Sequence, residues 1–201
     1  MKKQYKELWS TPIAEYWLED ISIHTELESH INEKYKNWKG DDTMHLFPEP
    51  TRFTDWVFEC IKDYTSNFFP IESCVMGRAW ATSQPYGHDN FLHSHAHFNA
   101  GTGGDIACAY YLDVIEGHPP LEILDPRAAH KFNMVNRMMA DGNIASGFCS
   151  VQVKPEKYKM VLHPGYLMHG VGVNLLQYPR TSVAMNINLI RNKTKNIALH
   201  A

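Results

Sequence analysis

After Pro70 the chain breaks into short runs rich in β-branched and aromatic residues, at 73–83, 90–98, 105–115, 121–124, 148–154, 158–163, 167–173 and 180–190. Several of them alternate apolar and polar positions, the period of a strand with one buried face. Glycine, proline, asparagine and aspartate separate them, with little helical sequence between. That pattern disfavours a parallel, helix-covered sheet, which needs a crossover between strands. It predicts an antiparallel double-sheet architecture, a jelly roll or related barrel.

The first 70 residues read differently. Pro12 sits in an aromatic and β-branched stretch, 5–23, that predicts an extended strand at a sheet edge or at a strand start. Leu27, Ile31, Tyr35 and Trp38 recur at helical spacing between His24 and Trp38, and Gly40 stops the pattern. Phe53, Trp56, Val57, Cys60, Ile61 and Tyr64 predict a second helix over 51–69, capped by Thr51 or Thr54 and closed by Pro70. Residues 128–147 read as a short helix or ordered loop between strands. The fold expected is mainly β with N-terminal helices, a double-stranded β-helix (jelly roll, cupin-like). One domain, 1–201, is expected, with 1–70 supporting a core at 71–201.

Composition narrows the function. A net charge of −3 over 201 residues offers no electrostatic case for nucleic acid in bulk. Cys60, Cys74, Cys108 and Cys149 are scattered with no CxxC, so no zinc knuckle is written. No signal peptide or long apolar run is visible, so the expected setting is a reducing, cytoplasmic one with no membrane partner. The one oddity is 12 histidines. Three fall at alternate positions in His93-Ser94-His95-Ala96-His97, which on a strand would share a face. His163 and His169 lie in a later run, and Arg180 follows, with Ser182 and Ala184 on its strand face. Imidazoles converging on one face suit a metal ion, and an arginine suits a bidentate grip on a carboxylate.

Paired histidines, a distal histidine and then an arginine one strand later form an order that resembles the iron(II)- and 2-oxoglutarate-dependent oxygenases. The chain looks most like a family of such oxygenases of about this length, found in bacteria and phages, mostly of unknown substrate. Leu8-Trp9-Ser10-Thr11-Pro12-Ile13, the Trp80, Gly87 and His93-Ser94-His95 spacing, Tyr110-Tyr111-Leu112, Leu124-Asp125-Pro126-Arg127, Leu162 to Val171 and Arg180-x-Ser182 with Asn186 carry the resemblance in order. Departures are an HxH pair where the wider superfamily has HxD or HxE, Trp80-Ala81-Thr82 for Trp-x-Asn, and Tyr158 where glycine is common.

The resemblance implies iron(II) held by His93, His95 and His169, with His97 as the alternate ligand. It implies 2-oxoglutarate as cosubstrate, its far carboxylate on Arg180 with Ser182, and Tyr110 or Asn186 as further contacts. Oxidative decarboxylation to succinate and carbon dioxide would drive hydroxylation of a C–H bond. The expected partner is a small-molecule or peptide substrate; a homodimer stays open, as does the host cytoplasm for a phage-encoded chain. Rival readings are a three-histidine cupin-type thiol dioxygenase, which would not need Arg180, and a non-catalytic cupin-like binding or structural module.

Overall fold

A computed structural model describes residues 11–34, 46–68, 71–95, 103–126 and 150–190. The expectations for Tyr35, Trp38, His97, Arg127 and residues 128–147 lie outside them. In chain order the elements are β1 (Ala14–Trp17), α1 (Ile21–Lys34), α2 (Arg52–Phe68), β2 (Ser73–Gln84), β3 (Asn90–His93), β4 (Ile106–Asp113), β5 (Leu121–Leu124), β6 (Ser150–Val153), β7 (Lys159–Pro164), β8 (His169–Val171) and β9 (Arg180–Ile190). The strands form two antiparallel sheets, β1-β7-β4-β9-β2 and β3-β8-β5-β6, and so the expected jelly roll.

The N-terminal elements cover one face of the larger sheet. In α2, Phe53, Val57, Cys60, Ile61 and Tyr64 are buried along one stripe, as their spacing demands. Its start is a reciprocal cap: the Thr54 amide donates to Thr51 Oγ1 (3.2 Å) and the Thr51 amide to Thr54 Oγ1 (2.7 Å). His24, Leu27 and Ile31 are the buried residues of α1. These side chains pack on Ala79, Ala81, Cys108, Tyr110, Met160, Leu162, Val183, Met185 and Ile187 of the sheet. The short β1 pairs only with β7 and takes the sheet edge, as Pro12 predicted.

The other face of the larger sheet meets the smaller sheet through a second core of Tyr111, Val114, Leu121, Ile123, Val153, Val161, Leu167 and Val171. Strand alternation therefore divides β9 cleanly. Val183, Met185 and Ile187 point to the helices, and Arg180, Ser182, Ala184 and Asn186 to the inter-sheet space. In β2 the register shifts between Met76 and Arg78, after which Arg78, Trp80, Thr82 and Gln84 oppose Asn186, Ala184, Ser182 and Arg180. The chain reaches Arg180 by crossing from β8 in one sheet to β9 in the other. Asn174 pins this crossing, its side-chain amide donating to Gln84 O (2.8 Å) and Tyr178 O (3.0 Å).

Two backbone positions carry tight constraints. Tyr158, standing where glycine is common in the resembled family, has φ 73°, a left-handed conformation that costs a non-glycine residue roughly 1–2 kcal/mol. Its ring meets His24 edge-on at 4.6 Å. At Gly165, a Cβ would lie 1.9 Å from the carbonyl oxygen of Gly104. The Gly165 amide donates to Asp105 O (2.8 Å), and its own carbonyl accepts from the His95 amide (2.7 Å).

At position 158 glycine should be more stable than alanine by about 1 kcal/mol, because both lose the ring and only glycine is at ease at this φ. Denaturant midpoints of Tyr158→Gly and Tyr158→Ala measure this, and equal midpoints would contradict it. Gly165→Ala should lose about 1–3 kcal/mol by overpacking against backbone. Gly172→Ala, whose Cβ would meet only Pro119 at 4.0 Å, should stay near wild type. Similar losses in both variants would count against the close-approach reading.

Candidate metal centre

β3 and β8 are neighbours in the smaller sheet, and their register sets His93 directly across from His169. β3 ends at His93, so His95 does not share that strand face by alternation, contrary to the strand expected over 90–98. The turn between β7 and β8 captures it: its amide donates to Gly165 O, and its carbonyl accepts from the Gly104 amide at 3.1 Å. The donor nitrogens of His93, His95 and His169 come within 4.8 Å of one another. The rings of His95 and His169 are nearly parallel at 4.9 Å, and that of His93 lies 4.4 Å from His169.

Backbone carbonyls select the tautomers. His93 Nδ1 donates to Phe91 O (2.7 Å) and His169 Nδ1 to Leu167 O (2.9 Å). A carbonyl only accepts, so each Nδ1 carries a proton and each Nε2 is the nitrogen left for a metal. Burial pushes His169 down to about 3, with His163 adding to the effect, so its ring is neutral at ordinary pH. His95 Nε2 and His169 Nε2 stand 3.1 Å apart. Two nitrogens about 2.1 Å from one ion in cis positions would be separated by roughly 3 Å. The donor set, its protonation and its spacing thus fit a divalent transition metal.

Sequence reasoning gave His163 no role. It lies on the inner face of β7, buried, its ring 4.5 Å from His169 edge-on, with Nδ1 donating to Pro164 O at 3.0 Å. Burial pushes it down to about 4, so it is a neutral wall behind His169. Trp80 closes another side, its ring 6.0 Å from that of His95. The only advance signal for His163 was its proximity to His169 in the same run.

Along the inner face, Ala109 and Ala184 pair with each other in the row that Trp80 also joins. Their methyl groups leave room between the histidines and the next row, where Tyr111 pairs with Ser182 and Ser182 with Thr82. Same-face rows are about 7 Å apart. Arg180 lies beyond, buried, its guanidinium carbon 5.1 Å from the Tyr111 ring centre and its Nη1 3.5 Å from Ser182 Oγ. Thr82 Oγ1 and Ser182 Oγ are 3.0 Å apart. Burial lowers Arg180 from its ordinary value, with Tyr111 opposing the shift; burial also raises Tyr111, with Arg180 and Lys159 opposing.

Among the described residues Arg180 Nε and Tyr111 Oη are buried with no hydrogen bond of good geometry, the phenol standing beside the guanidinium. Lys159, on the same face and 6.0 Å from the Tyr111 ring, is matched by Glu15 (2.8 Å) and Glu156 (3.0 Å). Among the described residues no carboxylate forms an ion pair with Arg180. A guanidinium fork and a phenol left open in a buried pocket fit the carboxylate of a small diacid.

Tyr110, expected beside the cosubstrate, is on the other face. Its hydroxyl bonds His24 Nδ1 at 2.8 Å and its ring meets Phe53 at 4.9 Å. Alternation gives the pocket Tyr111 instead. Asn186 is on the inner face, opposite Ala107 and Arg78, away from Arg180 and nearer the histidine end.

A family model described as "Putative 2OG-Fe(II) oxygenase" matches residues 78–186, more than half the chain. No curated protein matches the sequence. Among solved structures, a prolyl-4-hydroxylase from Pseudomonas putida is 12% identical, with a TM-score of 0.56 over 91% of this chain and 94% of that one. HygX from Streptomyces hygroscopicus, with nickel and 2-oxoglutarate bound, is 13% identical, with a TM-score of 0.54 over 88% and 82%. A viral collagen prolyl hydroxylase from Paramecium Bursaria Chlorella virus-1, in a 2-oxoglutarate complex, is 11% identical, with a TM-score of 0.57 over 90% and 96%. At these identities the structures establish the shared fold, and the family match carries the rest. The chain belongs to the 2OG-Fe(II) oxygenases, non-haem enzymes whose cofactor is iron(II) and whose cosubstrate is 2-oxoglutarate.

Proposed function

We propose that His93, His95 and His169 hold the iron(II), and that the pocket from Ala109 and Ala184 to Arg180 holds 2-oxoglutarate. The observation that carries this is one inter-sheet space with three clustered imidazoles from the smaller sheet and its loop at one end and, on the larger sheet at the other, a buried guanidinium with no carboxylate among the described residues. Arg180 and Tyr111 would bond the far carboxylate, and Ser182, positioned by Thr82, would stand beside it. When bound, iron(II) and 2-oxoglutarate supply the oxidation, with decarboxylation to succinate and carbon dioxide. The protein's share is orientation and exclusion of water. The carbonyls of Phe91 and Leu167 fix two imidazoles, the Gly165 turn fixes the third, and His163 and Trp80 wall the centre.

The reaction we assign is hydroxylation of a C–H bond in a small-molecule or peptide substrate. The reading takes the chain as one oxygenase domain, 1–201, with 1–70 buttressing 71–201. Among the described residues no helix is long and apolar enough to cross a membrane. The thiol-dioxygenase alternative leaves the open Arg180 and Tyr111 without a purpose, and the binding-module alternative gives way to the family match.

His95→Ala and His169→Ala should each cut iron(II) stoichiometry from one per chain to near zero. Arg180→Lys should keep the metal but weaken 2-oxoglutarate binding roughly tenfold or more, since a point cation replaces a bidentate fork. Metal analysis and an anaerobic titration of 2-oxoglutarate measure both. Metal retained in both histidine variants, or wild-type affinity in Arg180→Lys, would overturn the assignment.

A further inference from the structure

A second guanidinium on the same inner face has no part in the proposed cosubstrate pocket. Arg78 is half-buried on β2, an edge strand of the larger sheet, and its Cζ lies 5.3 Å from the Trp80 ring centre. Trp80 in turn meets His95, so one indole separates Arg78 from the metal centre. Arg78 Nε is buried and, among the described residues, has no hydrogen-bond partner. Among the described residues no carboxylate forms an ion pair with Arg78, in contrast to Lys159 with its two. A guanidinium stacked on an edge-strand tryptophan is ordinary surface packing; one with a hidden, unused N–H is not.

The register shows that 2-oxoglutarate held at Arg180 cannot be what Arg78 awaits. Arg180 pairs with Gln84 and Arg78 with Asn186, six residues apart along β9, which is about 20 Å of strand. Trp80, the residue that reaches His95, lies between them on β2. Arg180 thus lies at the far end of the face and Arg78 at the histidine end, in the row of Asn186 and Ala107. Charge points the same way. Three neutral imidazoles bring no negative charge, so iron(II), the 2-oxoglutarate dianion and Arg180 together leave one net positive charge, and Arg78 adds a second.

We propose that Arg78 is a specificity-determining residue that binds a carboxylate of the substrate, placing an acidic amino acid or acidic peptide against the metal centre. This rests on the proposed metal and cosubstrate sites. The Trp80 ring, 5.3 Å from the Arg78 Cζ, restricts the side chain, so a carboxylate meeting the guanidinium would order it at little cost. A single cation matches a monoanionic carboxylate better than a phosphate dianion.

The test is anaerobic binding to iron(II)-loaded, 2-oxoglutarate-saturated protein, in which nothing turns over. The probes are free aspartate and glutamate, peptides bearing Asp or Glu, the same molecules with Asn or Gln in their place, and inorganic phosphate. Wild type should bind one acidic class at least tenfold more tightly than its amide counterpart, and the class that binds distinguishes a free amino acid from a peptide. Arg78→Gln should abolish that preference and Arg78→Lys should keep part of it, with metal content and 2-oxoglutarate affinity within twofold of wild type. Should Arg78→Gln lose its folded circular dichroism, a roughly threefold loss of acid binding in Arg78→Lys is the expected result, and wild-type binding there would overturn the proposal. No preference for acids in wild type, a preference that survives Arg78→Gln, or phosphate binding tighter than any carboxylate would each overturn it. A drop in 2-oxoglutarate affinity in Arg78→Gln would instead reassign Arg78 to the cosubstrate. If wild type bound neither iron(II) nor 2-oxoglutarate, the underlying site reading would fail with it.

Discussion

Everything in this chain depends on the alternation of two neighbouring strands at the centre of the larger sheet, β4 and β9. Each gives one face to the N-terminal helices and the other to the inter-sheet space. On the helix side the residues are apolar and large, among them Tyr110, Val183, Met185 and Ile187. On the inner side, small and polar residues alternate with them: Ala107, Ala109, Ser182, Ala184 and Arg180. A shift of one residue in β9 would push Arg180 into the helix-facing core and Met185 into the pocket, and one in β4 would exchange Tyr110 and Tyr111. The helices therefore act on the chemistry without touching it, since their packing stabilises the one register that keeps Arg180 inside.

The histidine end uses a different device. His93 and His169 meet because β3 and β8 pair, which is ordinary sheet register. His95 has no strand to hold it and hangs on two backbone bonds, to Gly165 and from Gly104. Those bonds exist only because Gly165 and Gly104 approach to a distance that admits no Cβ. The centre is also drained of charge before any metal arrives. Burial keeps His163 and His169 neutral, and backbone carbonyls orient two of the three lone pairs. A metal entering such a site exchanges water for ligands that need little reordering.

Much of this could be read before the fold was known, for physical reasons. Period-two runs after Pro70 marked the strands, and a shared strand face linked Arg180 to Ser182, because both signals are local. Tyr110 and Tyr111 show where locality ends: two adjacent buried tyrosines on a strand covered on both faces look alike, and only the partners on each face tell helix side from pocket side. The path to Arg180 crosses from one sheet to the other, and no pattern in 172–179 marks that crossing. Tyr158, where glycine is common in the family, was an oddity in the sequence and is a left-handed residue in the fold. The capture of His95 by a turn distant in sequence was likewise invisible to periodicity.

The central claim is that the space between the two sheets binds a metal at its histidine end and 2-oxoglutarate along the row to Arg180. Its most direct test is a crystal structure of the protein loaded with iron(II) and 2-oxoglutarate without oxygen, with anomalous scattering recorded at the iron edge. The account predicts a single anomalous peak within bonding distance of Nε2 of His93, His95 and His169, and density for the cosubstrate running from it to Arg180 and Tyr111. An iron peak that leaves out His169 or replaces His93 by His97, or a cosubstrate carboxylate lying away from Arg180, would contradict it.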